Sequence, residues 1–261
     1  KEKKENNYIS STRNMGRSWN KKRIKKNTKK FWILKLYQNK KILGVITARL
    51  GSKRLVNKNT INLHGKPLFI WTVEEALKSK YLDKIIISTD DNTIINFSKK
   101  IKNIKVIRRS KKLSKDETKS EDVILDLISK IKTKFNIICV LQPTSPLRKK
   151  YDIDKSLKMM INSKSKSVVS ANYDNDLCKH PIKVKNNFFK GFKNNKSKNG
   201  YSINGAIYAT DVDYFRKNKT FFGKKTKIYF MPKSRSIDID TIEDFLKAQS
   251  LLKKWKQKEI F

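Results

Sequence analysis

A chain of 261 residues with 63 Lys/Arg against 23 Asp/Glu carries a formal charge of +40 and only two cysteines. That length buries a substantial core, as one large α/β domain or two small ones. Two cysteines make no disulfide framework, and no apolar stretch reaches transmembrane length. The charge invites a nucleic-acid reading, but residues 1–40 hold 14 Lys/Arg against two Glu, a net +12, and the other +28 is spread over 221 residues. Lysine so dispersed forms a solvated surface that attracts polyanions weakly and non-specifically. No signal-peptide pattern stands out, and a reducing cytoplasm is the expected compartment.

Residues 1–38 read as a poorly ordered basic extension, or a fragment of something upstream, with Phe31-Trp32-Ile33-Leu34 as its only apolar cluster. The folded domain is expected over 39–261, opening on the strand Ile42–Ile46. Pro67 then starts a helix whose Phe69, Ile70, Val73, Ala76 and Leu77 share one face. A second strand, Ile85–Ile87, ends in Ser88-Thr89-Asp90-Asp91, and a helix near 92–100 leads to a strand at Ile104–Ile107. Ser120 is placed to cap the next helix, with Val123, Ile124, Leu127, Ile128 and Ile131 facing inward. The apolar run Ile137–Leu141, with Cys139 as a small core residue, is followed by a helix over about 152–162 and a strand at Ser167–Ser170. Strands alternating with amphipathic helices predict a mainly parallel, doubly wound sheet. Residues 171–200, polar and rich in Lys and Asn, read as an excursion from it; strands return at Ile203–Ala209 and Ile228–Met231, and a last helix begins at Thr241 with Asp244 as its capping-box partner.

Several segments carry chemistry. Leu141-Gln142-Pro143-Thr144-Ser145-Pro146-Leu147-Arg148 is a proline-braced polar loop where a buried strand stops, the place at which open α/β sheets bind ligands. Thr47 to Asn59 is a cationic loop with one glycine after the first strand, suited to a triphosphate although it lacks Walker spacing. In Ser236-Ile237-Asp238-Ile239-Asp240, alternation turns both carboxylates to one side, where hard oxygen ligands suit Mg²⁺ bridging phosphates. His180 and the Asn204-Gly205 turn have bland structural explanations when taken alone, and no His/Cys metal spacing or hydrolase triad is present.

In order, Ala48-Arg49-Leu50-Gly51-Ser52-Lys53 with Lys58-Asn59, Ser88-Thr89-Asp90, Leu141 to Arg148, His180-Pro181-Ile182-Lys183, Asn204-Gly205-Ala206-Ile207-Tyr208 and Ser236 to Asp240 form a set that resembles the acylneuraminate cytidylyltransferases, over about residues 41–256. The resemblance implies a Rossmann-like nucleotidyltransferase fold with a small protruding arm, at about 171–200, that joins two subunits into a homodimer. It implies coupling of CTP to the anomeric hydroxyl of a nonulosonic acid, with Mg²⁺ and release of pyrophosphate. By motif, Arg49, Ser52, Lys53, Lys58, Asn59, Arg109, Ser120 and Asn204 would bind CTP, and Gln142, Thr144 and Lys183 the sugar, Lys183 facing its carboxylate from a partner's arm. Asp238 and Asp240 would hold the metal, and with Arg49 and Lys58 they make the catalytic set. Arg148 is expected to be structural. Three positions depart from the pattern: Leu50 for a small residue, Val56 for a proline, and Ser202 for an arginine before Asn204, with Lys196 or Lys198 as possible substitutes. The competing readings are activation of an eight-carbon keto-deoxy acid and, in another class, a basic nucleic-acid-binding protein.

Overall fold

Three short runs of branched aliphatic residues, at 42–46, 85–87 and 137–141, are buried on both faces and form the middle of one sheet. Such two-sided burial is the mark of parallel strands covered by helices. The structure, a computed structural model, describes residues 40–193 and 198–258. In chain order the elements are β1 (Ile42–Thr47), β2 (Asn62–Leu63), β3 (Lys66–Pro67), α1 (Leu68–Leu77), β4 (Lys84–Thr89), α2 (Asn92–Ser98), β5 (Ile104–Arg108), α3 (Ser120–Ser129), β6 (Ile137–Leu141), α4 (Lys150–Asn162), β7 (Ser167–Leu177), β8 (Ile182–Lys185), β9 (Phe188–Phe192), β10 (Lys198–Asp211), α5 (Val212–Asn218), β11 (Thr226–Phe230) and α6 (Ile242–Lys258). Nine strands form one sheet in the order β5-β4-β1-β6-β10-β7-β11-β9-β8. β5, β4, β1 and β6 run parallel, as do β7 and β11, while β10 is antiparallel to both β6 and β7. The expected mainly parallel, doubly wound sheet is therefore present, with one reversed strand near its middle.

The stretch 171–200 departs from expectation. It does not leave the sheet: β7 runs on to Leu177 and pairs with the first half of β10, and the β8–β9 hairpin joins the edge through the Lys227–Phe188 pair. The outer half of the β7–β10 ribbon keeps its ladder but exposes residues such as Tyr173, so the apolar alternation that marks a strand fades there. Two further expectations need correction. Lys119, not Ser120, holds the N-cap position of α3, and Ser120 is the first helical residue, with no side-chain cap bond made by Lys119. Leu77 turns outward at 37% exposure, while Leu68 and Thr72 of α1 are buried. Thr72 is inside because its hydroxyl is needed there as a hydrogen-bond partner of Arg148. The basic extension and its Phe31–Leu34 cluster lie outside the described residues, as do Lys196 and the Lys198 side chain.

A second apolar cluster sits under the functional end of the sheet. Ile237 and Ile239 pack with Leu63, Leu68, Leu147, Phe245 and Leu252. Burial of each such side chain stabilises the fold by about 2 kcal/mol. Because Ile237 and Ile239 point inward, the intervening Asp238 and Asp240 are turned the other way. The expected capping box at α6 is made: Asp244 Oδ2 accepts from the amides of Asp240 and Thr241, and Thr241 Oγ1 accepts from the Asp244 amide. No helix among the described residues is long and apolar enough to cross a membrane.

Candidate active site

The carboxyl ends of β1 and β6 open into a cleft lined by Thr47, Arg49, Lys58, Asn59, Arg109, Ser120, Gln142, Thr144, Asp238 and Asp240, together with Leu113, Lys115, Thr118, Val123 and Pro143. Nine of the sequence-derived site residues, from Arg49 to Asp240, thus line one space. The cations Arg49, Lys58, Arg109 and Lys115 and the carboxylates Asp238 and Asp240 share its lining, an arrangement suited to a polyphosphate with a divalent cation.

Each wall is held from behind. Asn59 is buried; its Nδ2 donates to the Arg49 carbonyl at 2.9 Å, and its Oδ1 has no protein partner. Asp90 accepts from the Leu50 amide at 2.9 Å, fixing the start of the cationic loop to the end of β4. Arg109 is buried, donates to the Ser88 carbonyl at 3.2 Å and leaves Nε without a partner. Burial lowers its guanidinium pKa, with the charge of Asp90 opposing the shift. On the opposite wall the Ile239 amide donates to the Thr144 carbonyl at 2.9 Å, tying the proline-braced loop to the Asp238–Asp240 segment.

The two carboxylates differ. Lys58 Nζ donates to Asp240 Oδ1 at 2.9 Å, and Arg54 lies 3.2 Å from its Oδ2. Burial would raise the Asp240 carboxyl, but the Lys58 hydrogen bond and the surrounding cations hold it below the usual Asp value. Asp238 encloses its Oδ1 with no hydrogen-bond partner. Burial raises its carboxyl above the usual value despite the Thr144 hydrogen bond, and the Asp240 charge adds to the rise.

The bulge in β10 between Ile203 and Tyr208 shapes the rest. Gly205 has φ +73°, and a Cβ there would stand 2.9 Å from Gln142 Oε1 and 3.4 Å from Asp238 Oδ2. Only glycine lets the chain turn this close to both side chains. Asn204 beside it lines a second cavity rather than the cleft. Its Oδ1 accepts from Ser170 Oγ at 2.6 Å and its Nδ2 donates to Ser236 Oγ at 2.9 Å. Asp238 is common to both spaces.

Besides Asn204, three expected site residues are not in the cleft lining. Ser52 and Lys53 lie on the outer part of the cationic loop, and Lys53 pairs with Asp116 at 3.0 Å. Lys183 is exposed on β8 and lines neither space. Sequence reasoning missed Asp116, which also pairs with Arg49 and so bridges two cations of the loop. Its signal was available: Asp116 and Glu117 are the only acids between residues 92 and 120. Cys139 and Cys178 are both buried and unpaired, and burial pushes the Cys139 thiol up to about 12. Cys139 therefore offers no thiolate for chemistry.

The family described as Cytidylyltransferase matches residues 43–261. The N-acylneuraminate cytidylyltransferase of Streptococcus agalactiae serotype V is 31% identical over 219 residues, covering 79% of this chain and 52% of that protein. The chain thus spans about half the length of that relative. The CMP-N,N'-diacetyllegionaminic acid synthase of Legionella pneumophila is 33% identical over 224 residues, covering 81% of this chain and 96% of that one. Among solved structures, a CMP:2-keto-3-deoxy-manno-octonic acid synthetase complexed with CTP aligns with a TM-score of 0.67 at 17% identity, over 82% of this chain and 99% of that chain, a likeness of fold. The chain belongs to the cytidylyltransferase family and is related to the acylneuraminate enzymes.

Proposed function

We propose that this chain transfers CMP from CTP to the anomeric hydroxyl of a nonulosonic acid and releases pyrophosphate. The observation that carries the reading is the convergence of Arg49, Lys58 and Arg109 with Asp238 and Asp240 in one cleft that also holds Gln142 and Thr144. An in-line displacement at the α-phosphorus needs positioning and charge neutralisation more than covalent help from the protein. In this reading Arg49 and Lys58 take the phosphate oxygens, Arg109 lies near the cytosine, and Asn59, Ser120 and the outer-loop Ser52 and Lys53 complete the nucleotide's surroundings. Gln142 and Thr144 orient the acceptor, with Asn204 supporting that wall from the second cavity.

Mg²⁺ fits the carboxylate pair. Asp238 has an enclosed oxygen without a partner, and Asp240 is kept ionised by Lys58. Among the described residues no three His, Cys, Asp or Glu side chains come together as a metal cage. A cation bound by Asp238 and Asp240 would therefore complete its shell with phosphate oxygens and water. When bound, it supplies charge neutralisation for the triphosphate and the leaving pyrophosphate. Lys58 has a second role here: in contact with Asp240, it brings a positive charge to the same end of the cleft.

The arm reading is also a proposal. Lys183 lines neither the cleft nor the second cavity of its own chain, which favours a contribution to the acceptor site of a second copy. The names of the relatives, N-acylneuraminate and N,N'-diacetyllegionaminic acid enzymes, support a nine-carbon acceptor. The test is a pyrophosphate-release screen with CTP, Mg²⁺ and a panel of eight- and nine-carbon keto-deoxy acids, on material cleared of nucleic acid. Release that depends on one of the nine-carbon acids supports the proposal; no acid-dependent release from any of them sinks it.

A further inference from the structure

Arg235 stands three residues before Asp238 in the chain. It makes a two-bond fork with Asp152, Nε donating to Oδ2 at 3.0 Å and Nη2 to Oδ1 at 2.9 Å. Asp152 is fully buried, and it also accepts from the Tyr229 hydroxyl of β11 and from the Lys149 amide, each at 3.0 Å. Neither Arg235 nor Asp152 lines the cleft. Resting on the function proposed above, we propose that Arg235 and Asp152 are positioning residues, whose fork holds Asp238 and Asp240 where the pair can take a divalent cation.

The carboxylate segment has to be held from outside, because its two working groups oppose one another. Like charges on Asp238 and Asp240 push the pair apart, and Asp238 Oδ1 has no partner to restrain it. Downstream, the segment runs into the start of α6, where Asp244 accepts from the Asp240 and Thr241 amides. At its middle, the Ile239 amide reaches the Thr144 carbonyl. Upstream, the Arg235 fork ties it to the first turn of α4.

That turn is the right reference point. Asp152 follows Arg148 by four residues, and buried Arg148 binds the Gln142 and Ala206 carbonyls. The loop bearing Gln142 and Thr144 and the segment bearing Asp238 and Asp240 are thus both fixed to the start of α4. The Tyr151 ring, 4.7 Å from the guanidinium carbon, confines Arg235 further. Stability alone is a poor account of the fork, since taking both charges out of water offsets most of what their attraction contributes. What a bidentate, charge-assisted pair adds is a fixed direction and distance.

The test is binding of Mn²⁺ alone to the intact chain, followed by the electron paramagnetic resonance signal of the free ion, beside steady-state pyrophosphate release. Arg235→Lys keeps the charge and loses the fork, and is expected to raise the Mn²⁺ dissociation constant and lower kcat by about tenfold each. Binding of CTP in EDTA should stay within about twofold of the parent, because the cationic loop does not touch the fork. Asp152→Asn with Arg235→Gln leaves no buried charge unpaired, so it is the variant to read where the single change does not fold. The same loss of Mn²⁺ affinity is expected in it. Asp154→Ala breaks a different anchor of α4, to Ser79 Oγ and the Lys80 amide, and should leave Mn²⁺ affinity at the parent value. Lower thermal stability with unchanged Mn²⁺ affinity in the fork variants, or an equal loss of affinity in Asp154→Ala, overturns the positioning role and leaves the proposed function standing. A parent that takes up no Mn²⁺ overturns the metal site and the positioning role with it. A parent that binds Mn²⁺ but is inactive with every acid of the panel overturns the function, and the binding measurements still decide the role of the fork.

Discussion

Arg148 donates through Nη1 to the Ala206 carbonyl at 2.7 Å and, from the same atom, to the Gln142 carbonyl at 3.1 Å. Its Nη2 donates to Thr72 Oγ1 at 2.7 Å, and the side chain is fully buried. One guanidinium therefore joins the proline-braced loop, the β10 bulge and helix α1. These are the elements that set Gln142 against Gly205 and Asp238.

Replacing Arg148 removes this brace and takes a donor from the buried Ala206 carbonyl and from Thr72 Oγ1. Arg148→Met is expected to cost about 3 kcal/mol in urea unfolding. Lysine cannot reproduce the planar fork, so Arg148→Lys should recover less than half of that loss. A stability equal to the parent in Arg148→Met would remove the brace from the account.

Gly205→Ala tests the close turn more locally. The left-handed backbone and the 2.9 Å approach to Gln142 Oε1 both oppose a Cβ. A loss of about 1–2 kcal/mol is expected by thermal or urea unfolding. Because the methyl pushes on Gln142 rather than on the cationic loop, KM for the acceptor should rise more than KM for CTP.

The legible parts of this chain are those whose causes are local. β1, β4 and β6 announce themselves as apolar runs, and the alternation Ile237-Asp238-Ile239-Asp240 is enough to place two carboxylates on one side. The outer β7–β10 ribbon is held by pairing between residues about 30 apart, and its side chains are half in water, so it carries no periodic signal.

Asp240→Ala should abolish metal-dependent pyrophosphate release, a loss of about a thousandfold or more in kcat/KM, with an unchanged circular dichroism spectrum. Full activity in that variant would falsify the metal assignment.

Asp238→Asn makes a prediction of opposite sign for stability. The folded-state pKa of Asp238 is raised, so the unfolded chain gives up this proton more readily, and the parent loses stability as pH rises from the ordinary Asp value, about 3.9, through the folded value. The asparagine variant has no such loss. In EDTA its Tm should exceed that of the parent near neutral pH, and the gap should shrink as pH falls toward 4, while its activity with Mg²⁺ is lower. A gap that widens toward acid pH has the wrong sign for this explanation.

Asp116 sits where a phosphate would compete for Arg49 and Lys53. The Lys53 hydrogen bond, then that of Arg49, holds its carboxyl below the usual range, so it is ionised throughout the working pH range. Asp116→Asn is expected to tighten CTP binding in a calorimetric titration, by less than tenfold because the pairs are solvent-exposed. Weaker binding would instead make Asp116 an organiser of the two cations.

The proposed role of Lys183 can be decided by mixing two inactive proteins. If Lys183 reaches the acceptor site of a second copy, a dimer formed from one Lys183→Ala chain and one Asp240→Ala chain has one site in which both residues are intact. Its other site lacks both. Random reassortment of equal amounts makes half of the dimers mixed, so about a quarter of the parent activity should return if exchange is complete. If Lys183 acts within its own chain, every site in the mixture lacks one residue and the activity stays at the level of the separate variants. Native mass spectrometry with one of the two variants isotope-labelled confirms that exchange between dimers has occurred, so a flat result counts against the arm and not against the mixing.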